Sequence, residues 1–210
     1  MKYVKTGIAV GMAAALWVLS GVNTASATVL CSEPGTGSPT GTTCPSGKAY
    51  PSGTVIHAVS IGHVKIDTIF HVVDCETSTF QGATNSEGSA TETITLSLEK
   101  FTFLKCDCEV LVIKKGSAEF HWVSGTHNGE TTFSGYEIAV QCQTPFGKVH
   151  CIYAGSSSNL GVATGGNPAI LDMNGTLERL PTSALCGEES TITASYEITS
   201  PKPLYFTGHT

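Results

Sequence analysis

In TITASYEITS, residues 191–200, the apolar Ile192, Ala194, Tyr196 and Ile198 alternate with the polar Thr193, Ser195, Glu197 and Thr199. Successive side chains of a β-strand point to opposite faces, so this period of two predicts a strand with one face in a core and the other in water. AEFHWV (118–123) repeats the pattern, with Ala118, Phe120 and Trp122 on one face. Working outward, β-rich runs recur at TVIHAVSI (54–61), VKIDTIFHVVDC (64–75), TETITLSL (91–98), FTFLKCDCEVLVI (101–113), TTFSGYEIAVQC (131–142), VHCIYA (149–154), AILDM (169–173) and TLERL (176–180). Turn-forming residues separate them, and no amphipathic helical stretch follows residue 27. The pattern predicts an all-β fold, an antiparallel β-sandwich or barrel.

Local punctuation suggests where the chain reverses. Lys115-Gly116 and Asn128-Gly129 carry hairpin-turn signatures on either side of the Trp122 strand, and Asn174-Gly175 carries another between AILDM and TLERL. Strands near 106–114, 117–125 and 130–142 are therefore expected to form a meander.

The N-terminus sets the compartment. Lys2 and Lys5 precede the apolar run GIAVGMAAALWVLSGV (7–22), which leads into NTASA (23–27). This is the pattern of a secretory signal peptide over residues 1–27, with Ala25-Ser26-Ala27 fitting the cleavage rule. A secreted protein, extracellular or periplasmic, is expected to begin at Thr28. Leu30 before Cys31 is not the small residue that lipid modification requires, and no later segment has the apolar length of a membrane span.

Charge narrows the partners. Without Lys2 and Lys5 the 11 basic residues fall to 9 against 17 acidic, moving the formal charge from −6 to −8. Arg179 is the one arginine, and the lysines are scattered. Nucleic-acid binding needs clustered cations to neutralise phosphates, so no nucleic-acid partner is expected.

All eight cysteines, Cys31, Cys44, Cys75, Cys106, Cys108, Cys142, Cys151 and Cys186, follow the cleavage site. An even number in an exported chain predicts a disulfide framework. Residues 28–53 are rich in Gly, Pro, Ser and Thr, which predicts an irregular arm closed by Cys31–Cys44, ahead of a β-sandwich domain over 54–210. Within FLKCDCEVLVI (103–113), Cys106 and Cys108 are expected on one face of a single strand, reaching two different partners. They lack the spacing of a C-x-x-C redox pair or a zinc site.

Several polar groups are candidates for chemistry. His57, His63 and His71 lie on neighbouring β-runs at positions of one parity, but no cysteine or carboxylate completes a ligand shell, so no metal and no cofactor are expected. HWVSGTHNGE (121–130) gathers His121, Trp122, His127 and Glu130 near a hairpin tip without a nucleophile. SLEK (97–100) resembles an acylating serine motif but lies in a β-run, and NGT (174–176) coincides with a turn signal. GSSSNLGVATGG (155–166) is expected to be a flexible connector or a binding loop on a rigid scaffold.

Five phrases taken together, CPSGKAYPSGT (44–54), the Cys75–Cys106 block centred on TFQGATNSEGSATE (79–92), HWVSGTHNG (121–129), TGGNPAIL (164–171) and ASYEITSPKPLY (194–205), resemble a largely uncharacterised family of exported cysteine-containing β-proteins of soil bacteria. More distantly, the Cys75–Cys106 block and the ITSP ending are similar to secreted alkane-oxidation activator proteins of pseudomonads, which bring no catalytic residues to transfer. The resemblance matches six cysteines and leaves Cys108 and Cys142 as additions, which implies that these two pair. Against this, hairpins at 115–116 and 128–129 would set Cys108 and Cys142 at opposite ends of the meander. Cys142–Cys151 across TPFGK (144–148) is then the local alternative, and both remain open.

The expected function is that of a secreted, non-enzymatic structural or interaction protein at the cell surface or an apolar interface, with an apolar surface, a cell-surface component or a glycan as partner. In PKPLYF (201–206), Leu204, Tyr205 and Phe206 follow prolines that cannot join a central ladder, so this tip either docks or offers a surface contact. One alternative is a carbohydrate- or small-ligand-binding module using Trp122, Tyr136 or Tyr153. A second is a hydrolase assembled across strands, for which the sequence names no catalytic residue.

Overall fold

The inward and outward alternation carries through nearly every run, and the sheet that it builds closes on itself. The computed structural model describes residues 28–88, 92–145, 147–155, 159–182 and 185–208, of which 159–160 are described as backbone. The expected signal peptide lies outside the described residues. The strands are β1 (Val29–Cys31), β2 (Val55–Ser60), β3 (Val64–Asp67), β4 (Val72–Thr84), β5 (Ile94–Cys106), β6 (Glu109–Trp122), β7 (Gly129–Thr144), β8 (Gly147–Gly155), β9 (Asn159–Thr164), β10 (Ala169–Arg179), β11 (Glu189–Ser200) and β12 (Tyr205–Thr207).

β2 and β3 lie end to end between β4 and β11. In the same way β8 and β9 lie end to end between β7 and β10. Ten strands thus fill the 8 positions of a closed antiparallel barrel, each pairing with the next in chain order until β11 meets β2 and β3. Of the two architectures expected, the chain adopts the barrel. A barrel of this size is only wide enough for side chains to fill, and aromatic rings fill it here. Phe80 lies 5.1 Å from Tyr196 and 6.2 Å from Phe133, and Phe101 lies 6.0 Å from Tyr136. The buried Tyr196 hydroxyl meets Ser78 Oγ at 2.9 Å, which satisfies the one polar end of that ring.

Two turn signals proved to be something else. β6 runs unbroken through Lys115-Gly116, and β10 runs unbroken through Asn174-Gly175, so neither is a hairpin. Gly116 has a φ of 76° beside a register shift between Val112 and Lys114, and a Cβ there would press on Tyr136 N at 2.6 Å. Its glycine answers a bulge and a close backbone approach. Asn128-Gly129 does end a hairpin, with Val123 N–H donating to Asn128 O at 3.0 Å.

The CDC stretch is also a correction. Instead of continuing as one strand, the chain reverses at Asp107, after Lys105 takes a left-handed φ of 54°. The reversal sends Cys106 to its cross-strand partner Cys75 and Cys108 to Cys142. With no turn at Lys115, Glu109 pairs Gln141, so Cys108 and Cys142 lie at the same end and the geometric objection to their bond disappears. The remaining bonds are Cys31–Cys44 and Cys151–Cys186. Four disulfides place the folded chain in an oxidising, extracellular or periplasmic environment.

The barrel's two ends differ. At one, the arm over residues 28–53 lies across the opening, and β1 pairs with β12. Leu30, Leu204 and Phe206 are each 1% exposed there, so the C-terminal tip is not the outward apolar contact that was one expectation. After Pro201 and Pro203 the chain crosses the opening, held by Leu204 N–H to Gly166 O at 3.0 Å and Phe206 N–H to His127 O at 3.1 Å. Tyr205 is half-buried, its ring 6.0 Å from that of His127. The other end carries the remaining three disulfides and no such cap among the described residues.

Candidate binding site

The uncapped end is built by the β3–β4 turn, the β5–β6 turn, the β7–β8 turn and the chain between β10 and β11. Thr68 locks the first of these: its Oγ1 donates to His71 O at 2.7 Å and accepts from His71 N–H at 3.2 Å. The lock leaves Ile69 and Phe70 at the turn tip, 68% and 54% exposed. Leu185 projects from the β10–β11 connection with similar exposure. Val140, Val149 and the Cys108–Cys142 disulfide form an apolar floor between them, and the open-mouthed cavity measures about 450 Å³.

One ionisable pair sits at the rim, where the neutral Gln143 also lines the cavity. His71 Nε2 lies 2.5 Å from Asp107 Oδ2, while Asp107 Oδ1 accepts the Asp74 backbone N–H at 3.0 Å. Burial by itself would raise the Asp107 carboxyl, but the Asp74 N–H, the His71 ring and the Cys108 N–H outweigh it and hold the group below the usual carboxylate range. An ionised carboxylate only accepts, so His71 Nε2 carries the proton in this hydrogen bond. Outside the mouth, His63 pairs with Asp74, and Lys105 pairs with Glu76 at 2.7 Å.

Ligand atoms of His71, Asp107 and Cys108 all lie within 4.8 Å of one another. Cys108 sulfur is bonded to Cys142 and offers no thiolate, which leaves two ligands where a stable site takes three or four. This donor set does not fit a resident metal.

The residues singled out in the sequence are mostly elsewhere. His57 binds Thr199 at 2.6 Å, so His57, His63 and His71 serve three separate partners and do not converge. Trp122, Tyr136 and Tyr153 are 9%, 0% and 0% exposed, which removes them as a carbohydrate-stacking face. His121 faces Glu130 across the β6–β7 ladder and lies 3.7 Å from Glu119, whereas His127 packs on Tyr205. SLEK lies within β5, its Ser97 hydroxyl engaged with Asn85, and NGT lies within β10. The expected Gly/Ser connector is largely barrel wall, since β8 ends at Gly155 and β9 resumes at Asn159. A second, shallow depression beside Glu92, Glu119 and His121 is polar and open to solvent.

The parts of this candidate site that sequence reading missed are Ile69, Phe70 and Leu185 and the His71–Asp107 pair. A signal existed for the first two. Val64 and Ile66 point inward at even positions, but Val73 and Cys75 point inward at odd ones, so a turn must interrupt VKIDTIFHVVDC. No protein-family model matches this chain, and no curated protein or solved structure matches it.

Proposed function

We propose that this is an exported, non-catalytic binding protein that meets apolar material through the disulfide-rimmed end of its barrel. One observation carries the reading. Of the ten large apolar side chains exposed among the described residues, Ile69, Phe70, Val72, Leu104, Leu111, Ile113 and Leu185 all lie toward that end. Scattered exposed apolar residues need no explanation, but a collar of them is the usual mark of an interaction surface. The two threonine hydroxyls lining the cavity support a non-catalytic role, because Thr68 donates to His71 O and Thr144 to Gly147 O, so that neither is a nucleophile poised for His71 among the described residues. The resemblance to exported β-proteins is consistent with this reading and supplies none of its residues.

The test is enrichment of the folded protein at a hexadecane–water interface, compared with an Ile69→Ser, Phe70→Ser, Leu185→Ser variant whose fold is checked by circular dichroism. The variant is expected to lose most of the enrichment. Equal enrichment of the two proteins, or none by either, overturns the proposal. In the latter case a sugar screen by thermal shift would test the carbohydrate-binding alternative.

A further inference from the structure

The apolar collar encloses something more specific than a sticky surface. The cavity of about 450 Å³ falls within the ~300–1,000 Å³ of small-molecule pockets, where apolar walls supply affinity and a few polar groups set orientation. At about 30 Å³ per water-sized atom it has room for on the order of ten to fifteen non-hydrogen atoms. Its floor is apolar and largely buried: Val140, Val149, Cys108 and Cys151 are each at most 9% exposed.

Resting on the reading of this end as an apolar contact, we propose that the cavity is a discrete site for one small uncharged amphiphile, an aliphatic chain bearing a hydroxyl. The chain lies against Val140, Val149 and the Cys108–Cys142 and Cys151–Cys186 disulfides, and the hydroxyl meets the His71–Asp107 pair. The rim chemistry selects this class. Both Asp107 oxygens are already engaged, by Asp74 N–H and by His71. In the neutral tautomer that gives Nε2–H to Asp107, His71 has Nδ1 as an acceptor, and Nδ1 has no partner among the described residues. One acceptor suits one O–H donor. A carboxylate headgroup fits badly, since it would sit beside the Asp107 anion and none of the described lining residues is a lysine or arginine that could offset the repulsion.

The test is an amide NMR titration of the ¹⁵N-labelled, disulfide-intact protein with 1-octanol and, separately, sodium octanoate at neutral pH. Saturable shifts at His71, Val140 and Val149 are expected with octanol, with octanoate at least about tenfold weaker. A His71→Ala variant, whose exposed position leaves the fold intact in the same spectra, is expected to weaken octanol several-fold. Octanoate binding as tightly as octanol, or His71→Ala leaving octanol unchanged, overturns the polar anchor. Non-saturating shifts centred on Leu104, Leu111 and Ile113 overturn the discrete site while leaving the interface reading standing. Saturable octanol binding by a protein that does not enrich at hexadecane does the reverse.

Discussion

The ring of Phe206 lies 5.5 Å from that of Phe120, tying the last strand to the inside of the barrel. Both side chains are at most 2% exposed. The C-terminal tip is therefore part of the core that seals one end, not a hand held out to a partner. Truncating a buried phenylalanine costs about 3–5 kcal/mol through lost burial and the cavity left behind. Phe206→Ala is expected to lose that much in urea unfolding, yet to enrich at a hexadecane surface as the wild type does under conditions where both are folded. A variant of normal stability that loses enrichment would return the tip to the role of contact.

Tyr136 lies across Gly155 so closely that any Cβ at 155 would run into its ring. A small residue under a large one is how a narrow barrel admits aromatic rings. Gly155→Ala is expected to cost about 1–3 kcal/mol or more by overpacking. In a double-mutant cycle with Tyr136→Ala, the two losses should fall short of additive, because removing the ring removes the clash. Strict additivity would mean that the two residues do not constrain each other.

Burial pushes the Tyr196 hydroxyl up to about 12 from an ordinary 10.0, against the opposing hydrogen bond to Ser78. The unfolded chain releases this proton near the lower value and the folded chain near the higher. The group's contribution is therefore complete below about pH 10 and is lost as pH rises toward 12. At about 1.4 kcal/mol per pH unit it amounts to roughly 2–3 kcal/mol. Urea midpoints between pH 9 and pH 11.5 should fall for the wild type and fall less for Tyr196→Phe. Tyr153, also raised by burial, adds in the same direction, so the variant reduces the slope without abolishing it. An unchanged slope would contradict the assignment.

The Cys108–Cys142 bond closes a segment with a sequence separation of 34. A crosslink of this span contributes about 2–4 kcal/mol. Replacing both cysteines by serine should lower stability by that amount while the other three bonds persist. Alkylation of the wild type without reductant should add no mass. A label on the wild type would contradict the fully paired framework.

Much of the barrel was legible because a half-buried strand writes its orientation into every second residue, as Ile192, Ala194, Tyr196 and Ile198 do. Glycine was the weak point. Gly116 and Gly175 sit in sequence contexts that also make tight turns, and only the packing around them separates a bulge or an inward-facing gap from a reversal. That ambiguity also misplaced Cys108 relative to Cys142. The site was harder still. His71 and Asp107 are 36 residues apart and meet only because two turns reach the same end of a closed barrel. Closure, unlike alternation, is a property of the whole sheet.

We propose that contact with apolar material occurs at the disulfide-rimmed end. Amide hydrogen exchange of the protein adsorbed on hexadecane droplets, compared with the free protein, tests it most directly, since it reports which backbone segments become protected. Protection is expected at residues 68–72, 107–113 and 185–188, with residues 28–53 and 204–208 unchanged. Protection confined to those latter segments at the capped end, or spread evenly over the barrel wall, would contradict it.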